Sequence, residues 1–277
     1  MMSKAGLLGA DAIILDLEDA VPLADKETAR LFVRDSLAQL ARQRSRVWVR
    51  INALATGMAD EDLGWIVQPG LAGIVLPKVE SASDVRQFAS TTTSLENERG
   101  LGRESIKLMP ILESAKGVLA AREIAAADPR VIALAFGALD FTRDMGIRLT
   151  REGSELQYAR SYVAIVARAA ELLAIDTPFI DLADPERLAI DAKSGRDLGF
   201  RGKLLIHPAQ VPVVNQVFSP AEDEVLYARK VVEAFHEAER QGFGAISLDG
   251  KMIDIANYRQ AEELIALADA LAGIEKI

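Results

Sequence analysis

The stretch KLMPILESAKGVLAAREIAAADPRVIALAFGALD (107–140) holds two apolar runs, KLMPILES (107–114) and VIALAFG (131–137), separated by the helix-period segment KGVLAAREIAAA (116–127). Two short buried strands joined through a helix read as a βαβ unit, and such a crossover makes the strands parallel. Outward from this unit the alternation repeats. AIILDLED (12–19), RVWVRIN (46–52), GIVLPKV (73–79), TPFID (177–181) and KLLIHP (203–208) read as further strands. KETARLFVRDSLAQLARQ (26–43), ASDVRQFAS (82–90) and SELQYARSYVAIVARAAELL (154–173) read as the helices between them. Strands and helices in strict alternation predict an α/β fold, a TIM-type (β/α)8 barrel. The barrel is one strand short: MSKAGLLGAD (2–11) reads as the helix that follows a first strand, which is itself expected to be missing from the sequence.

After His207 and Pro208 the pattern changes. EDEVLYARKVVEAFHEAERQG (222–242) and IANYRQAEELIALADALAGI (255–274) are helical, with a hairpin-like turn in GAISLDGKMID (244–254) between them. This tail cannot join a parallel sheet. The expected division is a catalytic barrel over 1–220 and a C-terminal helical lid or oligomerisation arm over 221–277.

At 277 residues, 50% hydrophobic, the chain can bury a large core. Its net charge of −9 comes without any Lys/Arg-rich tract, so a nucleic-acid partner is not expected. An acidic protein that handles anionic substrates must gather positive charge, or a bound cation, at the site itself. The absence of cysteine excludes disulfides, a thiol nucleophile and zinc–thiolate clusters, and fits a reducing, cytoplasmic setting. Neither a secretory leader nor an apolar run of membrane-spanning length is legible.

Polar residues recur where the strands end: Asp16, Glu18 and Asp19, then Arg50 and Asn52, then Glu113, then Asp140. In a barrel these C-terminal ends converge on one mouth, where active sites of the fold lie. Glu113 and Asp140, on consecutive strands and outside the core, can meet above the barrel and bind Mg²⁺, leaving positions for water and chelating substrate oxygens. Each alone could instead cap a helix or pair with a cation. Arg50, closing an apolar strand, could grip a carboxylate or thioester oxygen, or pair with Asp16 or Glu18. Glu18 and Asp19 could hydrogen-bond metal-bound water, or simply serve a strand-to-helix turn. Lys78 is a rim cation for substrate or a solvated loop residue. His207 and His236 lack the setting of metal ligands or triad members, no G-x-S-x-G is present, and the GLG at 100–102 precedes a strand rather than following one.

Taken in order, GADAIILDLEDAV, RINA, GIVLPKVES, PILESAKGV, LAFGALDFTRDMG, GFRGKLLIHPAQ and AISLDGKMID resemble the signatures of the HpcH/HpaI aldolase/citrate lyase superfamily. The resemblance is to its citrate lyase β-subunit-like members, the malyl-CoA and citramalyl-CoA lyase group. It implies cleavage of a 3-hydroxyacyl-CoA to an acyl-CoA and a 2-oxo acid, with Glu113 and Asp140 as Mg²⁺ ligands, Arg50 on the substrate, and Asp249 of the DGK turn donating a proton from a neighbouring subunit of a homotrimer. Two other readings compete. A class II aldolase acting on free 2-oxo acids resembles this pattern but carries an early histidine, and none precedes His207 here. A non-catalytic subunit, or one serving an acyl-carrier protein in a complex, is the other.

Overall fold

The computed structural model describes residues 8–275. The chain divides into two compact units, Met1–Val214 and Asn215–Ile277. In the first, β1 (Ala12–Asp16), β2 (Arg46–Arg50), β3 (Gly73–Leu76), β4 (Lys107–Leu112), β5 (Ala133–Phe136), β6 (Leu173–Asp176) and β7 (Gly202–Lys203) pair in that order, every pair parallel. The connecting helices are α1 (Lys26–Leu40), α2 (Ala59–Ile66), α3 (Ala82–Glu98), α4 (Ala115–Leu119), α5 (Ala121–Ala125), α6 (Ala138–Asp144), α7 (Gln157–Ala169) and α8 (Pro185–Leu198), and α9 (Val211–Phe218) follows β7. Seven parallel strands in sequence order, curled into part of a barrel, make the α/β arrangement expected of a TIM-like fold.

Alternation along the strands gives the sheet two apolar faces. Ile14, Trp48, Val75, Met109, Ile111, Ala133, Ala135, Ile175 and Leu204 share one cluster drawn from the whole sheet, which is the barrel interior. Their neighbours Leu15, Val47, Val49, Ile74, Leu76, Leu108, Leu134 and Phe136 point the other way and are equally buried. Strands covered on both faces read as unbroken apolar runs, which is why the sequence exposes them so plainly. Size is distributed inside: the Trp48 indole fills the space that Gly73 leaves, a methyl group at Gly73 falling 2.3 Å from the indole ring.

Charged staples bind the helices to the sheet's outer face. Arg130 donates to both carboxylate oxygens of Glu96 (2.9 and 2.6 Å), joining the end of α3 to the approach to β5. Asp176 at the end of β6 accepts from Arg160 of α7 (3.0 and 2.6 Å) and from Lys203 of β7 (2.9 Å), and Lys203 also reaches Asp191 of α8 (2.5 Å). These pairs are buried, so removing one partner would strand the other charge.

The structure shifts several of the sequence assignments. The sixth strand is LAID (173–176) rather than TPFID, since Pro178 has no N–H for a ladder and Thr177 accepts a hydrogen bond from the Ala138 amide instead. The last strand is cut to two residues because the Ile206 and His207 amides donate to the Gln210 side chain. Segment 116–127 forms two short helices that break at Ala120. α2, α6, α8 and α9 had no counterpart in the sequence reading, although Asp184 as N-cap, Pro185 in the first turn and left-handed Gly199 at the end (φ 105°) mark α8. The helix read over 2–11 falls mostly outside the described residues, and Leu8–Asp11 is not helical.

In the second unit α10 (Glu222–Arg240) and α11 (Ile255–Glu275) flank an antiparallel hairpin of β8 (Ile246–Leu248) and β9 (Lys251–Ile253). Ala228, Val231, Phe235, Ile253 and Ala261 form its core. Asp249 (φ 51°) and Gly250 (φ 77°) make the two-residue hairpin turn, both in the left-handed region that such turns require. Among the described residues no helix is long and apolar enough to cross a membrane.

Gly73→Ala should destabilise the barrel by about 1–3 kcal/mol through overpacking against Trp48, read as a lower urea midpoint with the same slope. An unchanged midpoint would show that the interior has room that the geometry does not reveal.

Candidate active site

Side chains that face the interior along each strand emerge at its C-terminal end. The series Ile14–Asp16, Trp48–Arg50 and Met109–Ile111–Glu113 therefore carries three charged groups onto one rim, directly above the apolar cluster. Gly137 holds the corresponding place after β5. A methyl group there would lie 2.5 Å from Glu113 Oε2 and 2.7 Å from its Cβ, so the glycine leaves room for that carboxylate.

Arg50 meets Asp16 through two parallel bonds, Nε to Oδ1 at 2.7 Å and Nη2 to Oδ2 at 2.5 Å, and its Nη1 lies 3.3 Å from Glu18 Oε2. Lys78 Nζ donates to Glu18 Oε1 (2.7 Å) and to Asp19 Oδ2 (3.0 Å) and Oδ1 (3.3 Å), while its backbone amide donates to Glu113 Oε1 (2.7 Å). Lys78 does this in a left-handed conformation (φ 52°). α4 supports the loop from behind, packed so closely that a methyl group at Gly117 would fall 2.5 Å from the Val79 carbonyl oxygen.

The expectation that Glu113 lies outside the core does not hold. Its residue is only 6% exposed, because β4 ends beneath the loop after β3 and the carboxylate turns into the space beside Gly137. Burial pushes its carboxyl up to about 7, the Lys78 amide opposing the rise and the charges of Asp140 and Glu18 adding to it. Glu18 is also pushed up by burial, against the pull of Lys78 and Arg50. For Asp16, burial acts upward but the bonds from Arg50 outweigh it and hold the carboxyl below its usual range. Arg50 and Lys78 feel burial in the opposite sense, and their carboxylate partners overcome it and fix both as cations.

Asp140 is not at a strand end. It stands in the first turn of α6, close enough to Glu113 for their charges to interact, and is paired with the exposed Arg143 at 2.6 Å. Two residues the sequence did not flag set this register. Thr177 Oγ1 accepts from the Ala138 amide (2.9 Å), and Asp144 accepts from the Ala115 amide (2.8 Å), which ties the end of α6 to the chain just after Glu113. Below the rim, buried Lys26 donates to the Leu17 and Glu18 carbonyls and to Asn52 (2.6, 2.7 and 2.7 Å), and Asn52 in turn is held by Asp62. His207 is an exposed cap, its Nδ1 accepting from the Ala209 amide.

The first unit thus gathers Glu18, Asp19, Arg50, Lys78, Glu113 and Asp140, whereas Asp249 is exposed at the hairpin tip of the second. A parallel TIM-like barrel whose mouth pairs a buried carboxylate with a second one beside a fixed arginine is the framework of an enzyme that handles charged oxygen chemistry.

Residues 1–208 match the HpcH/HpaI aldolase/citrate lyase family, and the chain belongs to that family of lyases. It is 40% identical over 270 residues to the citrate lyase subunit beta of Leuconostoc mesenteroides subsp. cremoris, covering 98% of this chain and 89% of that one. It is 32% identical over 280 residues to the human mitochondrial citramalyl-CoA lyase, covering 98% and 82%. The crystal structure of CitE from Mycobacterium tuberculosis in complex with magnesium, acetoacetate and coenzyme A is similar at a TM-score of 0.79, with 31% identity over 96% of this chain and 92% of that one.

A carboxyl raised in the folded state from 4.5 to about 7 contributes stability that is fully present below about pH 4.5 and lost as pH rises through about 7. In metal-free protein, Glu113→Gln removes this dependence. Its stability relative to wild type should rise between pH 4.5 and pH 8 by about 3 kcal/mol at most. Urea titrations at the two pH values measure it, and a constant difference would place Glu113 in a better-solvated setting than the structure gives it.

Proposed function

We propose that the chain is a Mg²⁺-dependent carbon–carbon lyase that cleaves a 3-hydroxyacyl-CoA of the citryl-, malyl- or citramalyl-CoA type to an acyl-CoA and a 2-oxo acid. The observation that carries this reading is the approach of Glu113 and Asp140 beside Arg50 at one barrel mouth. The donor set suits the ion: two carboxylates without a third ligand leave an octahedral cation places for water and for a chelating substrate. The magnesium in the similar Mycobacterium tuberculosis structure and the citramalyl-CoA lyase among the relatives support it.

In the reaction the 3-hydroxyl passes its proton to solvent water and becomes the keto group of the 2-oxo acid. The carbon–carbon bond breaks, its electron pair passes to the thioester as an enolate, and a proton delivered to the enolate carbon completes the acyl-CoA. Glu113 and Asp140 would hold Mg²⁺, which supplies positive charge to the oxygens of the 2-oxo acid. Arg50, kept cationic and oriented by Asp16, neutralises the enolate oxygen. Glu18 and Asp19, oriented by Lys78, would accept hydrogen bonds from water around the ion. The C-terminal arm, 221–277, delivers Asp249 across a subunit boundary in a homotrimer as proton donor; its exposed two-residue turn is a geometry suited to insertion.

A second reading places the same chemistry in a complex, with the thioester on a carrier protein, and the relative that is a citrate lyase subunit favours it. Assay of CoA thioesters with the isolated chain separates the two.

Glu113→Gln and Asp140→Asn should each abolish Mg²⁺-stimulated cleavage while leaving the fold intact by circular dichroism. Cleavage that survives both changes, or that ignores EDTA, sinks the metal assignment. For the arm, mixing Asp249→Ala with Glu113→Gln protein should restore activity once subunits exchange, since some mixed sites carry both groups intact. Failure to complement despite demonstrated exchange rules out a donor in trans.

A further inference from the structure

Glu18, Asp19, Glu113 and Asp140 line one mouth, yet among the described residues no three His, Cys, Asp or Glu side chains group so as to hold a metal. The partners of these carboxylates differ. Glu18 gives one oxygen to Lys78 and turns the other to Arg50, and both oxygens of Asp19 face Lys78. Asp16, the remaining acid of the rim, has both oxygens on Arg50. Glu113 keeps Oε2 on the side that Gly137 leaves clear, its Oε1 being fixed by the Lys78 amide. Asp140 faces Arg143, an exposed partner that a divalent ion readily displaces.

We propose that Lys78 is a specificity-determining residue that masks Glu18 and Asp19, so that an entering cation meets two carboxylates and water instead of four carboxylates. The inference rests on Glu113 and Asp140 being the cation ligands proposed above. Its consequence is ion selectivity. Mg²⁺ retains several waters and needs few carboxylates, whereas Ca²⁺ takes six to eight oxygens and gains from every further carboxylate within reach. With the mask in place the mouth suits the smaller ion; without it, Glu18 and Asp19 become available as additional ligands.

The backbone supplies an independent argument. At φ 52° a residue with a side chain is disfavoured and glycine is not, so a lysine here retains an unfavourable conformation for the sake of its ammonium group. The same fact makes Lys78→Gly a clean variant. It preserves the amide that holds Glu113, relaxes the φ-positive backbone and removes the ammonium group.

Isothermal titration of wild type, Lys78→Gly and Lys78→Arg with MgCl₂ and with CaCl₂ tests the proposal without any assay of turnover. Wild type should favour Mg²⁺. Lys78→Gly should bind Ca²⁺ at least about tenfold more tightly than wild type does, with Mg²⁺ affinity moved by less than about threefold. Lys78→Arg should keep the wild-type preference. Adding Glu18→Gln and Asp19→Asn to Lys78→Gly should bring the preference back, because the unmasked ligands are gone. A Mg²⁺/Ca²⁺ ratio unchanged in Lys78→Gly overturns the mask while leaving the metal site standing. Wild-type protein that binds neither ion overturns the metal reading and the mask with it.

Discussion

Like charges cannot share a poorly solvated rim unless cations stand between them, and this constraint organises the mouth of the barrel. Arg50 and Lys78 are distributed among Asp16, Glu18 and Asp19 so that each of these carboxylates has a cationic partner. Glu113 is the exception. It is more deeply buried than Asp140 and receives a neutral amide rather than a side-chain cation, and its carboxyl rises accordingly. The unmet electrostatic demand of the mouth is therefore concentrated where Glu113 and Asp140 approach, and a divalent ion at that point would balance the cluster.

What lies beneath the rim makes this concentration possible. Trp48 fills the interior against Gly73, and Ala133 and Ala135 keep the neighbouring strand thin, so the floor of the mouth is dry and closely packed. A dry floor strengthens every charge interaction above it. Lys26 works from the other side, satisfying the carbonyls of Leu17 and Glu18 where β1 has ended, so the turn that carries the acidic pair is fixed by its backbone as well as by its side chains.

Much of this was legible in the sequence because it depends on local periodicity. Alternation along RVWVR and KLMPILE places Arg50 and Glu113 above Trp48 and Ile111 without any knowledge of tertiary contacts. Asp140 was identified as a candidate ligand but assigned to a strand, since nothing in FGALD marks where the strand stops and the helix begins. Asp144, Thr177, Lys26 and Asp62 are not marked by any local pattern, and their roles depend on partners distant in sequence, such as the 39 positions from Ala138 to Thr177. The left-handed backbone of Lys78 was likewise invisible, because the sequence signal for such a conformation is glycine or asparagine and neither is present. α8 carries its sequence signal in its caps rather than in an apolar run.

The order in which the strands pair bears on how the protein is made. Every strand of the sheet is bonded to the one that precedes it in the chain, so no pairing waits for a segment still to be synthesised. A ribosome releasing this chain can see each strand dock on the edge laid down before it, and the longest loop to be closed at any step is the one from β5 to β6, α6 and α7 with their turns. The growing edge is then always the newest strand, short-lived during elongation. Growth stops at β7, whose two residues offer little edge to a stray partner and whose Lys203 locks into Asp176 and Asp191 as soon as it arrives. The terminal strand acts as an electrostatic latch on the growing edge of the sheet.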